Sequence, residues 1–228
     1  MYTKDMGSSK MKPLFVINFK TYKEATGKRA LKLVKICNKV SRKYKVDIWV
    51  AVQTTDIYLV SKIGIKTLSQ HLDSIDYGAN TGYVLAQDVK ETGAYGTLLN
   101  HAEDKLKLNV LKQAIQIAKK NKLKTIVCAA NLNEARAIKK FYPDIIAFED
   151  PKLIGTGRSI SKVRANDVKK FVGLLKNTKI MPLCGAGISD NNDVKAALML
   201  GTKGVLVSSA VVKAKNQEKA LIGLVRFK

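Results

Sequence analysis

Residues 145–159 read IIAFEDPKLIGTGRS. Ile145 to Phe148 are apolar without interruption, the pattern of a strand covered on both faces. Two carboxylates, Glu149 and Asp150, stand at its end, and a short loop then closes on Gly155-Thr156-Gly157. Runs of the same kind recur at LFVIN (14–18), VDIWVAV (46–52), KTLSQ (66–70), YGTLL (95–99), KTIVCA (124–129), DIIAF (144–148), KIMPLC (179–184) and GVLVS (204–208). Helical spacing fills the gaps. KLNVLKQAIQIAKKN aligns Leu108, Leu111, Ile115 and Ala118, and GKRALKLVKICNKV aligns Leu31, Val34 and Cys37. SDNNDVKAALMLG opens on a capping serine, Ser189, and closes on Gly201. Eight strand candidates alternating with helices in 228 residues predict an α/β fold, a parallel eight-stranded (β/α)8 barrel. An open doubly wound sheet is the rival, for which eight units is the less usual count.

Composition is ordinary for a globular chain, with 46% hydrophobic and 26% charged residues. No apolar run is long enough for a membrane span, and the polar start MYTKDMGSSKMK lacks the apolar core of a secretory signal. Residues 1–10 read as a flexible extension, and 11–228 as a single barrel domain. Cys37, Cys128 and Cys184 are odd in number and far apart, which argues for reduced cytoplasmic thiols and against a disulfide frame or a zinc site. The net charge of +23 leaves two readings: a nucleic-acid binder, or an enzyme with a basic surface. The lysines are spread over almost every helical segment, with no arginine block and no interleaved aromatics, so no specific nucleic-acid site is expected.

In a barrel the chemistry stands just after the strand ends. Asn18 and Lys20 follow the first strand on the same side of an extended chain. A lysine leaving a buried strand can be an anion contact, but Lys20 taken alone is more often a snorkelling surface residue. His101, with Glu103 two residues on, follows the fourth and fits either proton transfer or a structural role. His71 reads as structural. Glu149, leaving a buried strand, is partly desolvated, as a general base requires, though a lone acid also caps strand ends. CGAGIS and VLVSSA end the last two strands. Gly185 and Gly187 admit a close ligand, and N–H groups there and around Ser208 and Ser209 form a phosphate cradle.

NFKTY, NHAE, FEDPKLIGTG and CGAGIS, in this order and spacing, resemble triosephosphate isomerase. The compact length and the SQHLD…YGANTG and LLNH stretches resemble its archaeal branch. The likeness covers residues 11 to about 225 and implies the TIM-barrel fold. It also implies interconversion of dihydroxyacetone phosphate and D-glyceraldehyde 3-phosphate, a step of glycolysis and gluconeogenesis, without cofactor or metal. By the same likeness Glu149 is the base, His101 the neutral electrophile and Lys20 the charge-offsetting lysine. Asn18 stands beside Lys20, and Glu103 supports the set. Ile154, Gly155, Gly187, Ser208 and Ser209 fall at substrate and phosphate positions, and Gly-Thr-Gly at the hinge of a mobile lid. Thr81 matches a residue reaching the partner subunit's site. The family is dimeric and the archaeal branch commonly tetrameric, so a cytoplasmic homo-oligomer is expected.

The chain departs from the family at four places. Asp150 stands where a hinge proline is usual and is expected to turn outward, toward Lys152, itself in place of an acid. Ala102 replaces a serine, removing a hydrogen bond near Glu103. Asp104 replaces a basic residue and removes an intersubunit ion pair. Two other readings stand beside the isomerase: a phosphate-binding barrel enzyme for a larger substrate, disfavoured by the Asn18, Lys20, His101 and Glu149 set, and a basic barrel that has drifted to nucleic-acid binding.

Overall fold

A computed structural model describes residues 12–156 and 159–226. The expected extension at 1–10, and the hinge position Gly157, lie outside the described residues. Eight strands pair in parallel, each with the next, and the eighth returns to the first to close a barrel. They are β1 Leu14–Asn18, β2 Asp47–Val52, β3 Lys66–Ser69, β4 Gly96–Leu99, β5 Lys124–Ala129, β6 Ile145–Phe148, β7 Met181–Cys184 and β8 Gly204–Val207. The described helices are α1 Lys28–Tyr44, α2 Ile57–Ser61, α3 Ala86–Glu91, α4 Leu108–Lys120, α5 Leu132–Lys139, α6 Ile160–Val163, α7 Ala165–Leu175, α8 Asn191–Met199, α9 Ser209–Val212 and α10 Gln217–Val225. No described helix is long and apolar enough to cross a membrane.

The two-residue period of a strand divides the core in two. Phe15, Ile17, Val50, Val127, Ile146 and Val205 face the helices, which bring Leu33, Val34, Leu111, Ile115, Phe171 and Leu221 against them. Alternate residues fill the barrel itself: Leu14, Val16, Trp49, Ala51, Leu68, Leu98, Ile126, Cys128, Ile145, Ala147, Leu183 and Leu206. Full burial of one large aliphatic side chain stabilises the fold by about 1.5–3 kcal/mol. The filling stops at a common level. The next residues in the inward alternation are Asn18 at the end of β1 and Glu149, Gly185 and Ser208 just past β6, β7 and β8, so the closed end of the core is the floor of the mouth.

Two helical details differ from the sequence reading. Leu108 is 48% exposed, because it opens α4 before the helix reaches the barrel, whereas Leu111, Ile115 and Ala118 are buried. The cap of α8 is Asp190, which accepts from Asp193 N–H in a reciprocal capping box. Ser189 instead donates its N–H and hydroxyl to Asp193 Oδ2.

Candidate active site

The turn after β1 holds Lys20 in a left-handed conformation, φ +49°, costly for a side chain with a Cβ. Its N–H donates to Asn18 Oδ1 at 3.0 Å. Gln70, just past β3, donates its amide to Lys20 O at 3.0 Å and to Ala51 O at 3.2 Å. These bonds hold the strained turn and point the ammonium across the mouth to Glu103 Oε1, 2.5 Å away. Gln70 was missed from sequence; its only signal was its place at a strand end.

Asn100 follows β4, also with positive φ, +58°. Its side chain staples the next loop, donating to Cys128 O and Glu134 Oε1 and accepting from Leu106 N–H. His101 is thereby set into the mouth. The Glu103 N–H donates to its Nδ1 at 3.2 Å. A nitrogen that accepts carries no proton, so the imidazole is the neutral tautomer with its proton on Nε2. The 3.5 Å approach of Glu103 Oε2 to Nδ1 is then a through-space contact, because that lone pair is already engaged. Nε2 faces Glu149 Oε2 at 3.7 Å.

Glu149 is 5% exposed. Its Oε2 is buried and has no hydrogen-bond partner among the described residues. Such a group is costly in a fold and commonly marks chemistry. Its space is made by Gly185 on the adjoining strand end. A Cβ there would lie 2.5 Å from Glu149 Cγ and 2.6 Å from Oε1. The requirement for glycine is therefore set by the neighbouring acid, a role not visible in CGAGIS alone. Cys128 and Cys184 are buried near Glu149. Desolvation, then the Glu149 charge, pushes both thiols well up, so they stay protonated and inert.

Asp150 turns away from Glu149, as expected, but not to the Lys152 side chain. Its Oδ1 accepts the Lys152 N–H at 3.0 Å, capping a 3-10 turn over Pro151–Leu153. Its Oδ2 takes the Arg164 guanidinium at 2.6 Å. Burial works to raise this carboxyl, but the guanidinium and the N–H outweigh it and hold it below the usual range.

A cavity of about 380 Å³ opens above these groups. Asn18, Lys20, His101, Glu149, Ile154, Gly155, Gly187, Ser208 and Ser209 all line it. Ser208 Oγ is a second buried polar atom without a partner among the described residues. The N–H groups of Gly155, Gly187 and Ser209 make no hydrogen bond among the described residues. Tyr22, Ala186 and Ser189 also line the cavity without having been singled out, as does Thr156 of the expected hinge. Ala186 and Gly187 are consecutive positive-φ residues, at +66° and +71°, which turns the chain into the mouth. Glu103 lines a second, adjoining cavity with Lys20, Gln70, His71, His101 and Asp104. His71 is structural there, bridging Asp73 at 3.2 Å and Asp104 at 3.1 Å. Asp104 thus has a partner within its own chain. Thr81 lines neither cavity; it stands exposed in the loop after β3, with Tyr77 and Tyr83. Among the described residues, no group of three or more His, Cys, Asp or Glu could hold a metal ion.

Comparison with known proteins bears first on the fold. The crystal structure of triosephosphate isomerase from Bartonella henselae overlays with a TM-score of 0.72 at 21% identity, covering 94% of this chain and 100% of that one. The chain therefore has the (β/α)8 barrel fold. Sequence narrows the class: the family described as Triosephosphate isomerase matches residues 13–227. The enzyme of that name from Methanothermus fervidus is 45% identical over 217 residues, covering 94% of this chain and 98% of its own. That from Methanocaldococcus jannaschii is also 45% identical, covering 94% and 99%. The chain belongs to the triosephosphate isomerase family and is an isomerase.

Proposed function

We propose that the cavity interconverts dihydroxyacetone phosphate and D-glyceraldehyde 3-phosphate by moving one proton between adjacent carbons. The observation that carries this reading is the buried Glu149 oxygen opposite the protonated nitrogen of a neutral imidazole, 3.7 Å away. Glu149 takes a proton from the carbon beside the carbonyl, forming the acid and an enediolate. His101 Nε2–H donates to the carbonyl oxygen, where negative charge collects, and a neutral donor is matched to that task. Glu149 then returns its proton to the neighbouring carbon. Lys20 offsets the charge of the phosphorylated intermediate, with Asn18 and Glu103 fixing its direction. The N–H groups of Gly155, Gly187 and Ser209, with the Ser208 hydroxyl, bind the phosphate. Ile154 and its neighbours exclude water, which strengthens each of these interactions.

The reaction belongs to glycolysis and gluconeogenesis. We read the protein as one barrel domain, cytoplasmic with reduced thiols, and homo-oligomeric, with the Thr81 loop reaching the active site of a partner. A tetramer is favoured and a dimer is the alternative. Sedimentation at assay concentration checks this; a fully active monomer would remove the assembly from the account.

The direct test is a coupled assay of glyceraldehyde 3-phosphate isomerisation on wild type and Glu149→Ala. Loss of a positioned base lowers kcat by about 10²–10⁴-fold. The variant should remain folded by circular dichroism, because the change removes a buried carboxylate whose Oε2 has no hydrogen-bond partner among the described residues. Wild-type turnover in the variant would overturn the assignment of the base.

A further inference from the structure

Helix α1 gathers cations more densely than the other acid-free stretches of the chain, such as 105–133, which spreads seven lysines over 29 residues. Between Glu24 and Asp47 there is no acidic residue. The exposed positions from 28 to 45 are Lys28, Arg29, Lys32, Lys35, Lys39, Arg42, Lys43 and Lys45, so the whole solvent face of the helix is cationic. Lys28, Lys32, Lys35, Lys39 and Arg42 recur at steps of four and three and form one straight row. At 1.5 Å per residue the row runs about 21 Å, with a cation roughly every 5 Å.

This row does not stabilise the helix. Like charges three and four residues apart repel. Lys28 and Arg29 also sit in the first turn, where the helix dipole disfavours cations. Among the described residues one ion pair relieves the row, Lys39 with Glu218 of α10 at 2.8 Å. Glu24 borders the groove beside Arg29 and Lys32, which Lys215 also lines.

We infer that the outer face of α1 binds the phosphate backbone of nucleic acid without reading its sequence. A regular line of cations fits a regular line of phosphates, and a mostly lysine row supplies point charges without the bidentate geometry that reads bases. A bilayer fits less well. The apolar face of α1 (Ala30, Leu33, Val34, Cys37, Val40) is spent on the barrel. The exposed large apolar residues, among them Tyr58, Leu59, Tyr142 and Met199, lie on other elements. The inference is independent of the isomerase reading, since α1 lines neither cavity at the mouth.

The test is fluorescence anisotropy with labelled 20-base-pair DNA duplexes of unrelated sequence, titrated at several salt concentrations. The protein variants are the Lys32→Gln, Lys35→Gln, Arg42→Gln triple and a control triple with the same net charge, Lys112→Gln, Lys140→Gln, Lys169→Gln. Glutamine keeps helix propensity, and isomerase activity should be unchanged in both. The duplexes should bind alike. The α1 triple should flatten the slope of log affinity against log salt by about 2.7, weakening binding on the order of 10²-fold at 0.1 M salt. The control should change far less. Equal weakening by both triples would mean diffuse attraction to net charge and overturn the inference. So would binding to phosphatidylserine vesicles but not to DNA, or no binding to DNA at low salt.

Discussion

The two ends of the barrel treat their carboxylates in opposite ways. At the N-terminal end Asp144 is fully used: it accepts Thr125 N–H at 3.0 Å, the Thr125 hydroxyl at 3.1 Å and Lys124 Nζ at 2.7 Å. Asp47 accepts the Trp49 indole N–H at 3.0 Å and Lys66 at 3.1 Å. At the C-terminal end Glu149 is more deeply buried, yet its Oε2 is left without a hydrogen bond. Left-handed backbone does not separate the two ends: Lys20, Asn100 and Ala186 hold it at the mouth, and Lys45, Lys122 and Tyr142 hold it just before β2, β5 and β6. One end ties strands together, whereas the other keeps reactive groups unsatisfied, and the first supplies stability that the second consumes.

Three substitutions sharpen the contrast. The largest effect belongs to Gly185→Ala, whose methyl overlaps Glu149. The base must shift, and displacement of about 1 Å lowers kcat on the order of 10²-fold. Steady-state kinetics should show that loss in kcat; an unchanged kcat would mean that Glu149 has room the geometry denies. Asp144→Ala should do the reverse, leaving kcat intact while lowering unfolding free energy by roughly 2 kcal/mol, read from denaturant melts. A kcat loss there would break the division of labour between the ends.

Asp150→Asn should have the smallest effect. The Arg164 side chain is 43% exposed although that of Asp150 is only 10% exposed, and Asn keeps an acceptor for the Lys152 N–H, so the loss is about 1 kcal/mol. The pH dependence identifies it. The folded carboxyl titrates below its unfolded value near 4, so its stabilisation is present above that pH and fades as pH falls through the lower folded value. The gap in melting temperature between wild type and variant should be widest at neutral pH and close in acid. A gap that persists in acid would assign the effect to the capped 3-10 turn.

The charge of α1 bears on the same contrast. It lies on the flank, away from both ends, and was underread in the sequence, where lysines spread over every helix looked uniform. Folding the segment at 3.6 residues per turn turned the spread into a row. The structure added that its acidic neighbours are few: Glu24 at the groove, Glu218 paired with Lys39, and the buried Asp56, whose carboxylate accepts the Gly27 N–H at the start of the helix.

Strand positions, the barrel and the residues at the mouth were legible in the sequence. Continuous apolar runs and strand-end motifs are local patterns, and a parallel barrel carries them to one end by construction. What tertiary structure alone decided are relations between strands. Gly185 is glycine because of Glu149, 36 positions earlier. Lys20 points inward because Gln70 holds its carbonyl. His101 is the Nε2-protonated tautomer because the Glu103 N–H turns back on it. Asp150 is satisfied by Arg164, fourteen residues on, and not by its near neighbour's side chain. Each depends on an approach of a few ångströms between groups whose separation along the chain says nothing of their distance. The sequence determines which groups are present, and the closing of the barrel decides which of them meet.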